Sequence, residues 1–191
     1  MKVIGVSGMP GSGKNFVSKI AQDNSIRVVK MGDIVREESE KRKEETGITA
    51  VNLRKEQGNF VLAKLTIEKI KEIQNSNQDL KSNTEENKKS IFIIEGIRSP
   101  FEIDMFKKSF QDFTLVSVFS SPATRFNRLK NRKRADDSPD YNDFLKRDQR
   151  ELDFGLGAVI ANSDYIILNE SGIEEYKTQI NEFFNNILNN H

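Results

Sequence analysis

The stretch that decides the reading is Lys2-Val3-Ile4-Gly5-Val6-Ser7-Gly8-Met9-Pro10-Gly11-Ser12-Gly13-Lys14-Asn15. An apolar run at the very start breaks into glycines. Phe16, Val17 and Ile20 then recur at helical spacing. Strand, tight turn and helix follow one another within twenty residues. Gly8 to Lys14 fulfils the G-x-x-x-x-G-K phosphate-loop pattern. Glycines let consecutive N–H groups turn inward as an anion nest, and the helix beginning near Gly13 adds its positive N-terminal end. Lys14 supplies a full charge to the β- and γ-phosphates of a nucleotide. The pattern alone turns up by chance in about one chain in twenty of this length. The strand before it and the amphipathic helix after it make the assignment specific. Gly8, Met9, Pro10, Gly11, Ser12, Gly13, Lys14 and Asn15 are therefore the expected nucleotide-binding residues, with Lys14 also catalytic. Asn15 stands where most such loops put a Ser or Thr hydroxyl on Mg²⁺. Either its amide oxygen serves as a neutral ligand, directly or through water, or it points away and leaves the ion to water alone. The second reading is favoured, because Asn is longer than Ser and would crowd a directly bound octahedral ion.

Outward from the loop, short β-rich runs alternate with longer helical stretches. Strands are expected at Lys2–Ser7, Arg27–Met31, Ile91–Ile94, Phe113–Phe119 and Asp164–Leu168. Runs such as Ile91-Phe92-Ile93-Ile94 are continuously apolar, the pattern of strands buried on both faces. Helices are expected over Asn52–Ile73 and Ile173–Leu188. The alternation predicts an α/β fold: a parallel five-stranded sheet between two helical layers, as one domain over 1–191. An insertion at about 33–75, a polar loop at 74–90 and a lid at about 130–147 are expected to decorate it. Glu37–Thr46 reads as the solvated end of a helix. Gly155-Leu156-Gly157 reads as a flexible joint without chemistry.

Composition removes several classes of function. Thirty basic against 29 acidic residues leave a net charge of +1, which gives no electrostatic support for a nucleic-acid partner. Without cysteine there is no disulfide framework or thiol nucleophile, and the single histidine is the terminal His191. The opening apolar run is too short for a secretion signal, and no run approaches the ~20 apolar residues of a spanning helix. No membrane association and a cytoplasmic location are expected; the composition says nothing of oligomeric state.

Three further segments carry a resemblance. Met31-Gly32-Asp33-Ile34-Val35-Arg36 resembles the adenylate-kinase segment that opens the monophosphate region. Ile91 to Ser99, with Glu95 and Arg98, is similar to the third strand of such kinases. Arg125, Arg128, Arg132, Arg134 and, further on, Arg147 resemble an arginine-bearing lid. Over nearly its whole length the chain resembles an archaeal family of P-loop kinases related to adenylate kinase and dephospho-CoA kinase. The resemblance implies ATP as substrate, Mg²⁺ as cofactor and a phosphorylated small molecule as acceptor. It implies a Walker-B-like carboxylate at Glu95, which with Asn15 makes the expected metal site, and a backbone loop beside the adenine at Asn169.

The residues read alone agree with that picture. Arg36 and Arg98 follow strand ends, the edge at which open α/β sheets bind ligands, and their forks suit phosphate. Together with Asp33 they are the expected acceptor-binding set. Asp33 is expected to cap the helix beginning there, or else to order Arg36. Arg132, Arg134 and Arg147 are the expected catalytic lid arginines, closing onto the γ-phosphate. Arg128 is expected against the nucleotide base, with a surface ion pair as the alternative. Transfer to a nucleoside monophosphate is the leading reaction. A dephospho-CoA kinase, using Asp33 near the acceptor hydroxyl, is the first alternative. A P-loop ATPase or a binding module without kinase activity is the second. A GTPase is excluded, since Asn87-Lys88-Lys89-Ser90 lacks the Asp of a guanine reader.

Overall fold

The computed structural model describes residues 1–78, 90–132 and 138–189. The first strand, β1 (Lys2–Ser7), is buried along its full length. It leads through the glycine turn into α1 (Lys14–Asp23), then β2 (Arg27–Lys30) and α2 (Met31–Arg42). Two more helices, α3 (Thr46–Gln57) and α4 (Val61–Gln78), precede β3 (Ile91–Ile97). The chain continues through α5 (Pro100–Ser109), β4 (Asp112–Phe119), α6 (Pro122–Arg132) and α7 (Tyr141–Asp153). It ends with α8 (Leu156–Ala161), β5 (Tyr165–Leu168) and α9 (Ile173–Asn189).

All four strand pairings are parallel, in the order β2-β3-β1-β4-β5. Alternate residues of each inner strand feed opposite cores. Val3, Phe92, Ile94 and Leu115 pack toward α2–α5 and α8. Ile4, Val6, Ile93, Val116 and Val118 pack toward α1 and α9. Burial on both faces is why these strands read as unbroken apolar runs rather than alternating ones. The five-stranded parallel sheet with helices on both sides is the α/β fold expected from the sequence. Among the described residues, no helix is long and apolar enough to cross a membrane.

Several boundaries differ from expectation. The single helix read over Asn52–Ile73 is two helices, because Gly58 leaves the helical region at φ 88° and ψ 166°. Side chains rarely adopt that conformation, so a glycine there stops α3 and lets α4 start in a new direction. Glu37–Thr46 is not simply a helix end: α2 stops at Arg42, Lys43 takes a left-handed conformation, and α3 begins at Thr46. Strand β2 ends at Lys30, since Met31 already opens α2. Strand β3 runs three residues past Ile94, which puts Glu95 inside the sheet rather than at its tip. Gly155 is no loose joint. It caps α8 in a left-handed conformation, and a Cβ there would lie 2.7 Å from Pro100 Cδ. Most of the polar segment read at 74–90 lies outside the described residues, as do Arg134 and His191.

Candidate active site

The phosphate loop sits beyond the carboxyl end of the central strand. Its turn closes through the Ser12 N–H, which donates to the Met9 carbonyl at 3.1 Å. Gly13 then caps α1 with φ 98°, and a Cβ there would collide with the Asn169 amide. Three loop carbonyls are held from outside. Arg125 Nη1 donates to the Pro10 carbonyl at 3.3 Å, Asn169 Nδ2 to that of Ser12 at 2.8 Å, and the Tyr176 hydroxyl to that of Gly13 at 2.9 Å. Burial pushes the Tyr176 phenol pKa up, so the group stays a donor. With the carbonyls anchored outward, the first N–H groups of α1, which have no partner inside the helix, are left for a ligand.

Lys14 is half-buried at the mouth of this loop. Its pKa is pushed down to about 8, first by burial and next by the nearby positive charge of Arg98. Glu151 and Glu95 oppose that shift and Arg147 adds to it. Five charged groups from α1, β3, the turn after β3 and α7 therefore lie within electrostatic reach of one another. Parallel pairing explains part of this, since Val6 of β1 lies opposite Glu95 of β3. Glu95 is buried, and among the described residues its Oε2 has no hydrogen-bond partner. Arg98 follows β3. Its backbone N–H donates to Glu102 Oε2 at 2.8 Å, and its Nη1 lies 3.3 Å from Glu151 Oε1.

Two adjoining cavities open here. One, about 650 Å³, is lined on the loop side by Gly8, Lys14, Asn15, Glu95, Arg128 and Arg132. The other, about 700 Å³, lies against α2, α3 and α7, with Met31, Val35, Ala50, Arg54, Phe144 and Phe154 in its walls. Arg36, Arg98, Arg147 and Glu151 line both. Gly8, Pro10, Gly11, Gly13, Lys14 and Asn15 of the expected loop, and Arg36, Arg98, Arg128, Arg132 and Arg147 of the expected arginines, thus line one cleft, whereas Met9 and Ser12 do not.

Asp33 lines neither cavity, and it does not cap α2 through its side chain. The cap position is Lys30, and Asp33 instead forms an exposed ion pair with Arg36. Helix α2 starts three residues earlier than the sequence reading placed it, so Asp33 falls in its first turn, one turn before Arg36. Arg128 is held by protein: Nη1 donates to Ser120 Oγ at 2.9 Å, and Nη2 to the Asn169 carbonyl and Oδ1 at 2.9 and 3.0 Å. Asn169 itself is buried and ties β5 to the loop. Arg132 ends α6 with an exposed side chain, and Arg147 lies half-buried on α7.

Sequence reading passed over the functional setting of Glu151, Arg54 and Glu102. Arg54 is buried, stacks on Phe154 at 4.5 Å and donates to Glu102 Oε1 at 2.9 Å. A signal existed for Glu151: it follows Arg147 by four residues, which puts both on one side of a helix. No spacing links Arg54 to Glu102, 48 residues apart.

A parallel sheet in this order, with a glycine loop and its lysine after the central strand, defines the class of P-loop kinase-like α/β proteins. A family model described as an AAA domain matches residues 7–143. A UPF0200 protein of Methanothermobacter thermautotrophicus is 49% identical over 94% of this chain and 87% of its own length. Another, of Methanocaldococcus jannaschii, is 40% identical over 100% of this chain and 92% of its own. The chain belongs to this UPF0200 family of archaeal P-loop kinase-like proteins. Among solved structures, shikimate kinase from Bacteroides thetaiotaomicron superposes with a TM-score of 0.60 at 15% identity, covering 98% of each chain. The shikimate kinase of Acinetobacter baumannii in complex with shikimate gives 0.59 at 13% identity, covering 100% of this chain and 94% of that one.

Proposed function

We propose that the protein is an ATP-dependent phosphotransferase that moves the γ-phosphate onto a small anionic acceptor, with a nucleoside monophosphate or similar phosphorylated nucleotide as the leading class. The observation that carries this reading is the wall shared by two cavities. A kinase must hold two anionic ligands head to tail, and Arg36, Arg98 and Arg147 line both chambers where such ligands would meet. A nucleotide hydrolase has no use for a second chamber of about 700 Å³ beside the first.

In this reading the loop and Lys14 hold the donor phosphates. Arg98 and Arg36 receive the acceptor's anionic group, and Arg147 faces the transferring phosphoryl group with Arg132 at the outer rim. Arg134 is assigned with them from the sequence alone. Little covalent work falls to the protein, because positioning and charge stabilisation supply most of the acceleration in such transfers. When the acceptor nucleophile is itself a phosphate oxygen, no general base is needed.

The donor set fits a magnesium ion. Among the described residues, Glu95 presents a buried carboxylate oxygen without a partner, and no three carboxylates or histidines gather into a cage. Mg²⁺ commonly uses one or two carboxylates and takes its other ligands from phosphates and water. Glu95 would hold it, and Asn15, exposed beside Lys14, is the second candidate. Bound with the nucleotide, the ion would neutralise charge on the β- and γ-phosphates.

A second reading, transfer to a hydroxyl as in a dephospho-CoA kinase, draws support from Glu151. It is a buried carboxylate in the shared wall, better placed for a hydroxyl proton than the exposed Asp33. The fold likeness to shikimate kinase keeps a non-nucleotide acceptor in the same test. ADP release from ATP would be followed across nucleoside monophosphates, dephospho-CoA and shikimate, with Lys14→Ala as control. Acceptor-dependent release that disappears in the variant is expected. Equal release with and without every acceptor would leave an ATPase instead.

A further inference from the structure

Arg125 was read from the sequence only as one member of the arginine cluster, yet it is among the most buried charged side chains of the protein, 3% exposed. Its donors are directed at three separate parts of the structure. Nη1 and Nη2 grip Asp148 of α7 at 2.7 and 2.5 Å, as a two-pronged ion pair. Nε donates to the Ser120 carbonyl at the end of β4 at 3.1 Å, and Nη1 also reaches the Pro10 carbonyl in the phosphate loop at 3.3 Å. The guanidinium lies 5.2 Å over the Phe144 ring. The backbone around Arg125 meets the same loop, since a Cβ on Gly11 would come within 2.8 Å of the Arg125 carbonyl. Neither Arg125 nor Asp148 lines either cavity.

We infer that the Arg125–Asp148 pair is a positioning device for the transfer reaction, joining the phosphate loop and α7 into one unit. Asp148 stands next to Arg147 and three residues before Glu151, the two α7 residues in the shared wall. Fixing Asp148 to the carbonyl side of the loop therefore sets the distance between Lys14 and both of them. A rigid frame matters because a misplacement of about 1 Å can cost about a hundredfold in rate. An ion pair serves no such end merely by adding stability, since buried pairs can often be replaced by apolar residues of similar volume without loss. The Pro10 carbonyl is what an apolar substitute would leave without its donor. The inference rests on the phosphotransferase reading for its consequence but not for the contact itself.

The decisive variant is Arg125→Met/Asp148→Leu, which keeps the volume and removes the tether. Its melting temperature is expected to stay within a few degrees of wild type. Hydrogen exchange at the amides of residues 9 and 11–13, measured without nucleotide, should become at least tenfold faster. ATP affinity by calorimetry should fall about tenfold, and acceptor-dependent turnover more than affinity. Arg125→Lys, which keeps the charge but cannot reach Asp148, Ser120 and Pro10 together, should fold and show the same loop exchange. Should the double variant fail to fold, Arg125→Lys carries the test alone. Unchanged loop exchange in a folded variant would overturn the positioning role, whether or not ATP binds. Failure of wild type to bind ATP would strike the phosphotransferase reading and leave the exchange result to decide the tether.

Discussion

Lys14 carries a clear pH signature. Its amine loses a proton near pH 8 in the folded chain, against 10.5 for an unperturbed lysine. Between those values the unfolded chain binds the extra proton, so stability should rise with pH there; the cost of enclosing the ammonium is felt below about pH 8. Bound phosphates favour the charged amine, so ATP binding should take up a proton above pH 8. ATP affinity should then fall as pH rises from 8 to 10, by at most about tenfold per unit for one linked proton. Calorimetry at pH 9 in buffers of different ionisation enthalpy reads that proton directly. Lys14→Met should bind ATP weakly and lose the dependence. An affinity flat to pH 10 in the wild type would show that the amine takes up no proton on binding, and Lys14→Met binding as tightly as wild type would show that Lys14 does not meet the phosphates.

Helices α3 and α4 illustrate how one residue divides an element. Their combined pattern of apolar positions reads as a single helix, and only Gly58 interrupts it. That glycine has nothing within 4 Å of where a Cβ would stand, so its requirement is conformational and not steric packing. Gly58→Ala should cost about 1–3 kcal/mol, the range for a residue held in a sparsely populated backbone region. Urea denaturation measures it, and ATP affinity should stay unchanged because Gly58 lines neither cavity. A stabilised variant would mean that the two helices can merge. Helix α5 shows the opposite, a start that is legible in sequence: Ser99, Pro100 and Glu102 form a capping box with Pro in the first turn.

The same Glu102 serves the molecule as a whole. Its Oε2 accepts from the backbone N–H of Arg98 and of Ser99, and its Oε1 accepts from Arg54 on α3. The carboxylate is fully buried, so one side chain ties α3 to the tip of β3, where Arg98 leaves the sheet. Glu102→Ala should destabilise by about 3–5 kcal/mol, because it strands the Arg54 charge in the interior. Chemical unfolding would test this. Arg54→Leu/Glu102→Leu should recover much of the loss, and a loss below about 1 kcal/mol in the single variant would mean that water reaches Arg54.

Local order was sufficient for the architecture. The Gly8–Lys14 turn, the apolar strands and the helical stripes each depend on neighbours within a few residues, and periodicity records those directly. So the sheet, its parallel sense and the loop residues could be read from sequence. The partners in the cleft could not. Glu95 faces the loop because β3 pairs with β1 across some ninety residues of chain, and Arg125 meets both Asp148 and Pro10 because α6 and α7 fold back over the loop. Which arginine lines the cleft and which is spent on a buried carboxylate depends on distances set by packing, and residue type and spacing carry no record of them.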